Sequence, residues 1–402
     1  MSVFRELGVE PIINVSGAVT RLGGAPMPAR VLEAFCAAAA ESVPLELLQV
    51  AASRAIAEAT GAEAGLVTSG AAAGLTLGAA AILAGYDLGR IERLPHTEGF
   101  PHEFVVAREH RNGYDHAVRA AGARLVEVGF HEPVAGAGVR RVEAWEYAAA
   151  FGPATAGVLY VYGPGSRPPL AEVVRVAHER GLKVLVDAAG ELPPRSNLRE
   201  IVATGADLVA FSGGKAIRGP QASGILCGKR SLVGAAALNL LDMDDHYELW
   251  EPPAEWFDAG QLPGLPRHGI GRALKVSKEQ IAALLTALRL FNAGSYEADL
   301  ERFQGYLKQV AASLEQTEGV AGCRLTVPAD GESLPILEIH LDESVLGRSA
   351  LEVCRSLRKG MPPVYVGHGR LDEGILVMNP LHLNELCTQT LIRRLTDVFL
   401  RR

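Results

Sequence analysis

From about residue 64 onward, short and almost wholly apolar runs alternate with amphipathic stretches. The runs at 64–68, 104–108, 124–128, 157–162, 184–187 and 208–211 lack the polar–apolar alternation of a half-exposed strand. That pattern predicts strands covered on both faces. Between them the spacing predicts helices near 114–121, 170–180 and 197–204, so the chain alternates strand and helix as a mainly parallel sheet requires. Ser223-Gly224-Ile225-Leu226-Cys227 follows the 208–211 run too closely for a helical crossover and is expected to pair antiparallel.

The flanks differ in texture. An opening strand, Pro11-Ile12-Ile13-Asn14-Val15, leads through Gly17 and Gly23-Gly24 to a helix starting near Pro28, and a second helix at 47–60 ends at Gly61. A long helix is expected to begin near Val276. Beyond about 285, helices near 297–318, 349–359 and 385–400 interleave with strands at 322–327, 337–341, 364–366 and 374–378. This predicts an N-terminal segment (1–45) packing on the small domain or on a partner subunit, a large domain (46–284) and a small α+β C-terminal domain (285–402).

Composition narrows the function classes. The 402 residues carry a net charge of −7 and no block of Lys or Arg, which disfavours a nucleic-acid partner. No apolar run is long enough to span a membrane, and the N-terminus has no basic segment followed by an apolar one, so a cytoplasmic protein is expected. The five cysteines are scattered without metal-ligand spacing; they read as buried thiols of a reducing compartment, with no metal site.

Three stretches carry candidate chemistry. Val209-Ala210-Phe211-Ser212-Gly213-Gly214-Lys215 ends an apolar run in a tight turn that presents one amine. A partly desolvated lysine there can form a Schiff base with an aldehyde cofactor; a solvated lysine after a glycine turn is the other reading. Thr68-Ser69-Gly70-Ala71-Ala72 places small residues where a strand turns into a helix, which suits either close packing or a phosphate held by Ser69 and the N–H groups of Gly70, Ala71 and Ala72. Val184-Leu185-Val186-Asp187 ends a strand in a carboxylate, either a helix cap or a group placed to hold a proton on a pyridine nitrogen.

The order of phosphate turn, aspartate and lysine, each at the end of an expected parallel strand, resembles fold-type I pyridoxal-phosphate enzymes of the aspartate-aminotransferase-like class. The detail is similar to the group related to selenocysteine synthase (L-seryl-tRNA(Sec) selenium transferase) and D-glucosaminate-6-phosphate ammonia-lyase. The residues are Ile13-Asn14-Val15-Ser16-Gly17 with Leu22-Gly23-Gly24, Thr68 to Ala73, His110-Arg111-Asn112-Gly113-Tyr114-Asp115-His116-Ala117, Asp187-Ala188-Ala189 through Pro194, Ser212-Gly213-Gly214-Lys215, and Gly271-Arg272-Ala273-Leu274-Lys275-Val276. The resemblance implies pyridoxal 5'-phosphate as cofactor. It also implies Lys215 as the Schiff-base lysine and base, Asp187 on the ring nitrogen, Ser212 beside the phosphate turn, and a homodimer or higher homo-oligomer.

His110 is expected to stack on the cofactor ring. Arg111, Arg272, Lys275 and, in the small domain, Arg370 are candidates for an anionic substrate group. Lys275 departs from the arginine the family carries there. The long N-terminal tRNA-gripping domain of the bacterial selenium transferase has no counterpart before Ile13, so the expected substrate is a small amino acid or amino-sugar acid. The expected reaction is β-elimination to a 2-oxo acid and ammonia, with a racemase or epimerase as the alternative, and a selenium transferase or a non-catalytic binding protein behind both. If Lys215 carries the cofactor, the holoprotein absorbs near the visible edge; borohydride abolishes that band and Lys215→Ala lacks it. A band retained in Lys215→Ala would disprove the assignment.

Overall fold

The computed structural model describes residues 2–130, 140–244, 246–257, 260 and 262–400. The chain divides into two compact units, one made of Met27–Asn292 and the other of Met1–Pro26 with Ala293–Arg402. The divisions therefore fall at 26 and 292, where spacing alone suggested 45 and 284. Both shifts have one cause. The helix Lys278–Asn292 is continuous, burying Ile281, Leu284, Leu288 and Phe291 along one side, and the helix Ala29–Ala39 packs on it.

The opening strand β1 (Ile13–Val15) belongs to the smaller unit, where it pairs in parallel with a strand near the chain's end. In the larger unit the strands are β2 (Ala64–Thr68), β3 (Glu103–Ala107), β4 (Arg124–Val128), β5 (Thr155–Val161), β6 (Lys183–Asp187), β7 (Leu208–Ser212) and β8 (Gly224–Gly228). They form one sheet in the order β2-β8-β7-β6-β5-β3-β4. β4, β3, β5, β6 and β7 run parallel, whereas β8 is antiparallel to both β7 and β2. Hence β2 runs with the parallel set, and its carboxyl end lies on the same edge as theirs.

The smaller unit adds β9 (Val320–Thr326), β10 (Ile336–Leu341), β11 (Val364–Val366), the partner of β1, and β12 (Ile375–Met378). β9, β10 and β12 make an antiparallel sheet in the order β12-β10-β9. Helices Leu300–Leu314, Ala350–Lys359 and Glu385–Leu400 bury Leu307, Val353 and Leu395 in the same core as Leu337 and Ile339. The α+β texture of this region was legible because β10 alternates half-buried and buried positions, the mark of a sheet covered on one face.

Among the described residues no helix is long and apolar enough to cross a membrane. Cys227 and Cys354 are buried, but Cys36 is exposed, contrary to the expectation of buried thiols, because the helix Ala29–Ala39 buries only Val31.

The helix Ala71–Ala84 is buried nearly all round, which explains its run of alanine and glycine: small side chains let it lie close on the sheet. A Cβ on Gly78 would come within 2.8 Å of Leu185 Cδ1 on β6. Gly78→Ala is therefore expected to destabilise the protein by about 1–3 kcal/mol through overpacking. Leu185→Ala should cost about 2–5 kcal/mol through the cavity it leaves. In the double variant the new methyl enters that cavity, so the loss, measured by denaturant unfolding, should fall short of the sum; additive losses would contradict the packing described.

Candidate active site at the carboxyl edge of the sheet

β2 ends at Thr68, and Gly70, at φ +94°, turns the chain into the helix that starts at Ala71. The Gly70 N–H bonds to the Thr68 carbonyl (2.9 Å), and the Thr68 hydroxyl donates to the Gly70 carbonyl (2.9 Å). No side chain caps the helix, and Gly74 N–H makes its first-turn bond to Gly70 O at 3.1 Å. The N–H groups of Ala71, Ala72 and Ala73 are thus free of intrahelical partners, at the positive end of a 14-residue helix. Gly224, at the start of β8, permits this turn: a Cβ there would stand 2.5 Å from Gly70 C and 2.6 Å from Ala71 N. Ser69, expected among the phosphate donors, instead gives its hydroxyl proton to the Leu274 carbonyl (2.9 Å), which leaves the backbone as the donor at that position.

Asp187 ends β6, is 8% exposed and accepts a hydrogen bond from Ala189 N–H (3.0 Å). The residues after it form a turn, so the carboxylate caps no helix. Burial pushes its carboxyl above the usual range, against the opposing pull of the Ala189 N–H and the positive charge of Lys215. Lys215 follows β7, the neighbour of β6, and its Nζ lies 4.0 Å from where a Cβ on Gly190 would sit. The lysine is held by a folded-back turn in which Arg218 N–H bonds to Lys215 O (3.0 Å) and Gly219 N–H to Gly213 O (2.9 Å). Gly214 is required there, because its Cβ would be 2.5 Å from Gln221 Cα. Ser212, the last residue of β7, pairs with Gly224 across the ladder, and Gly224 abuts the Gly70–Ala71 peptide.

His110 lies in a short 3-10 turn after β3, 5% exposed, with its ring edge-on to Tyr160 at 4.6 Å. Neither ring nitrogen has a hydrogen-bond partner, although both are buried. Burial lowers this imidazole's pKa to about 4, with a smaller upward pull from Glu109 and a smaller downward push from Arg141. The neighbouring Tyr160 hydroxyl donates to Pro168 O at 2.8 Å, and burial pushes its pKa up to about 12.

The expected anion-binding cations fare differently. Arg111 is engaged by Asp115 and Glu127, and Arg370 by Glu338 and Glu373, with all three guanidinium nitrogens of Arg370 occupied. Acidic neighbours close in the fold thus already engage Arg111 through Nε and Nη1 and Arg370 through all three nitrogens. Arg272 pairs with Asp242 at 3.0 Å. Lys275 is exposed and among the described residues makes no ion pair. Arg272 and Lys275 stand together on a cavity of about 860 Å³ also lined by Leu66, Leu241, Trp250 and Trp256, none of whose walls comes from Asp187 or Lys215.

Glu191 joins this edge although no motif in the sequence singles it out. The signal available was a second carboxylate in Asp187-Ala188-Ala189-Gly190-Glu191, on the turn that faces the lysine. Its carboxyl is raised by burial and by Asp187, and lowered by Lys215.

The edge thus gathers unpaired helix N–H groups, a buried carboxylate, an amine on the adjacent strand and an imidazole whose buried nitrogens lack partners. That donor set fits pyridoxal phosphate, which offers a phosphate, a ring nitrogen, an aldehyde and a flat ring with polar substituents.

Comparison with known proteins agrees with this chemistry. The L-seryl-tRNA selenium transferase family model matches residues 115–242. A 5'-C-glycyluridine monooxygenase-decarboxylase of Streptomyces sp. is 32% identical, over 99% of this chain and 92% of its own. A D-glucosaminate-6-phosphate ammonia lyase of Salmonella typhimurium is 26% identical, over 99% of this chain and 98% of its own. A solved D-glucosaminate-6-phosphate ammonia-lyase superposes with a TM-score of 0.81 at 26% identity, covering 99% of this chain and 98% of that one. The chain belongs to the L-seryl-tRNA selenium transferase family of fold-type I pyridoxal-phosphate enzymes, in its D-glucosaminate-6-phosphate ammonia-lyase-like form.

Proposed function

We propose that this enzyme is a carbon–nitrogen lyase that converts a 2-amino-3-hydroxy acid, such as an amino-sugar acid, to a 2-oxo acid and ammonia. The observation that carries the proposal is the end-to-end likeness, at a TM-score of 0.81, to a D-glucosaminate-6-phosphate ammonia-lyase. Pyridoxal phosphate, when bound, supplies an electron sink for the substrate α-carbon.

The chain's own residues do the rest. The N–H groups of Ala71 and Ala72 bind phosphate at the helix N-terminus, beside the Ser212 hydroxyl, whereas the Gly70 N–H, expected among the donors, is taken by the Thr68 carbonyl. Asp187 keeps a proton on the ring nitrogen; its raised pKa marks a buried charge that such an N–H partner would stabilise. His110, neutral at working pH, lies against Tyr160 and can offer a ring N–H or a lone pair without adding charge. The Lys215 amine takes the α-proton. Arg272 and Lys275 remain candidates for an anionic group. The net charge of −7 weighs against tRNA as substrate.

Self-association is part of the proposal: Val43, Leu45 and Leu249, on the wall of the 860 Å³ cavity, are 42%, 45% and 67% exposed, an apolar surface suited to a second copy.

Two other outcomes use the same residues. A racemase or epimerase needs only return of the proton to the opposite face. An oxygen-dependent decarboxylation is favoured by the 32% identity to a monooxygenase-decarboxylase.

Incubating the holoenzyme in deuterium oxide with D- and L-2-amino-3-hydroxy acids separates the three. The lyase forms oxo acid and ammonia without consuming oxygen. Exchange at the α-carbon with no oxo acid would overturn the lyase in favour of the racemase, and oxygen uptake with carbon dioxide release would overturn it in favour of the decarboxylase. The His110 assignment has its own check in cofactor-free protein. The folded imidazole titrates at about 4 and the unfolded one near 6.5, so the unfolded state binds more protons between those values. Stability from this residue is full above pH 6.5 and falls as pH drops toward 4, by on the order of 3 kcal/mol. His110→Phe should flatten that part of the difference between unfolding curves at pH 7 and pH 5.

A further inference from the structure

Glu191 follows the glycine whose Cβ would meet Lys215 Nζ, so it sits on the turn that faces the lysine. Its side chain folds back over the carboxyl edge: Oε1 lies 4.0 Å from where a Cβ on Gly163, just beyond β5, would sit. The turn is pinned by Glu191 N–H to Ala188 O (3.2 Å) and by Asn197 Nδ2 to Glu191 O (2.6 Å). Among the described residues its carboxylate makes no hydrogen bond and no ion pair, yet it is half-buried and near enough to Lys215 and Asp187 for both charges to act on it. A pinned backbone that holds an uncommitted, half-buried carboxyl within electrostatic reach of an amine suits proton transfer better than stability.

β-Elimination needs a second proton group. Removing the α-proton engages Lys215, while a hydroxyl leaves a carbon readily only if protonated as it departs. The other groups at this edge are committed: Asp187 is reserved for the ring nitrogen, His110 is neutral, and the Tyr160 hydroxyl donates to Pro168 O. We infer that Glu191 is the catalytic acid that protonates the departing β-hydroxyl, an inference that rests on the lyase reading above. The Lys215 amine takes the α-proton, and the C–H electron pair forms the bond between the α- and β-carbons. The β-carbon–oxygen bond breaks with its pair on oxygen, the Glu191 O–H proton goes to that oxygen, and water leaves. The Lys215 ammonium then returns a proton to the Glu191 carboxylate. The water lost is matched by the water that hydrolyses the product to oxo acid and ammonia.

The test compares wild type and Glu191→Gln holoenzyme on a 2-amino-3-hydroxy acid and on β-chloroalanine, whose chloride leaves without a proton. Elimination of the hydroxyl substrate should fall by about 10²-fold or more in kcat, the usual span of a general acid. The cofactor absorption band, α-deuterium exchange and β-chloroalanine turnover should stay within about threefold of wild type. Equal loss on both substrates would mean a structural role and overturn the inference, as would an unchanged rate on the hydroxyl substrate. A second readout needs no turnover: a water-soluble carbodiimide, added to cofactor-free protein, should join Glu191 to Lys215 as an amide found by tandem mass spectrometry. Absence of that cross-link would place the carboxyl out of reach and overturn the inference. Should wild type form no oxo acid from any hydroxy substrate, the lyase reading itself fails, while the cross-link still reports whether Glu191 faces the lysine.

Discussion

A buried carboxylate at the end of a central strand constrains everything around it. Asp187 is 8% exposed, and a charge so placed is costly unless donors and an opposite charge face it. The Ala189 N–H supplies one donor, and Lys215, from the end of the neighbouring parallel strand, supplies the charge. The parallel crossover makes this possible. β6 and β7 run side by side with Asp187 opposite Ala210, so both strands deliver their last residues to one edge. The reciprocal need of amine and carboxylate gives the edge its polarity within an otherwise apolar sheet.

Close packing sets the shape of that edge. Residues without a Cβ stand where backbones meet: Gly224 against the Gly70–Ala71 peptide, and Gly214 against Gln221. The alanine-rich helix behind β2 can approach the sheet because its side chains are small, and its N-terminus then points its free N–H groups across the ends of the strands. Free N–H groups at the helix start and tight packing on the sheet are two consequences of one choice of small residues. From the sequence the two therefore look like alternatives, although the structure makes them the same feature.

The arginines illustrate the opposite case. A guanidinium in a glycine turn looks available when only its neighbours in sequence are considered. Arg370 meets Glu338 of β10, 32 residues earlier, and Arg111 meets Glu127 of β4, 16 residues later. Both encounters follow from strand pairing, which brings distant carboxylates alongside. Ser69 is similar, since its hydroxyl bonds to a carbonyl 205 residues away. Glu191 is the converse case: a glutamate in a turn reads as solvated until Gly163 is seen near its carboxylate and the Lys215 charge within reach of it.

By itself the sequence determined the strands of the parallel sheet, the antiparallel place of β8, the small α+β unit and the series Ser69 turn, Asp187, Lys215. Each depends on local periodicity or on which residue ends a run, and both are written in neighbouring positions. Only the tertiary structure decided where the units divide, which cations are already paired, that both nitrogens of His110 are buried without partners, and that a second carboxylate lies within electrostatic reach of the lysine. Those are properties of groups far apart along the chain, and burial and charge act through space, where sequence spacing carries no distance.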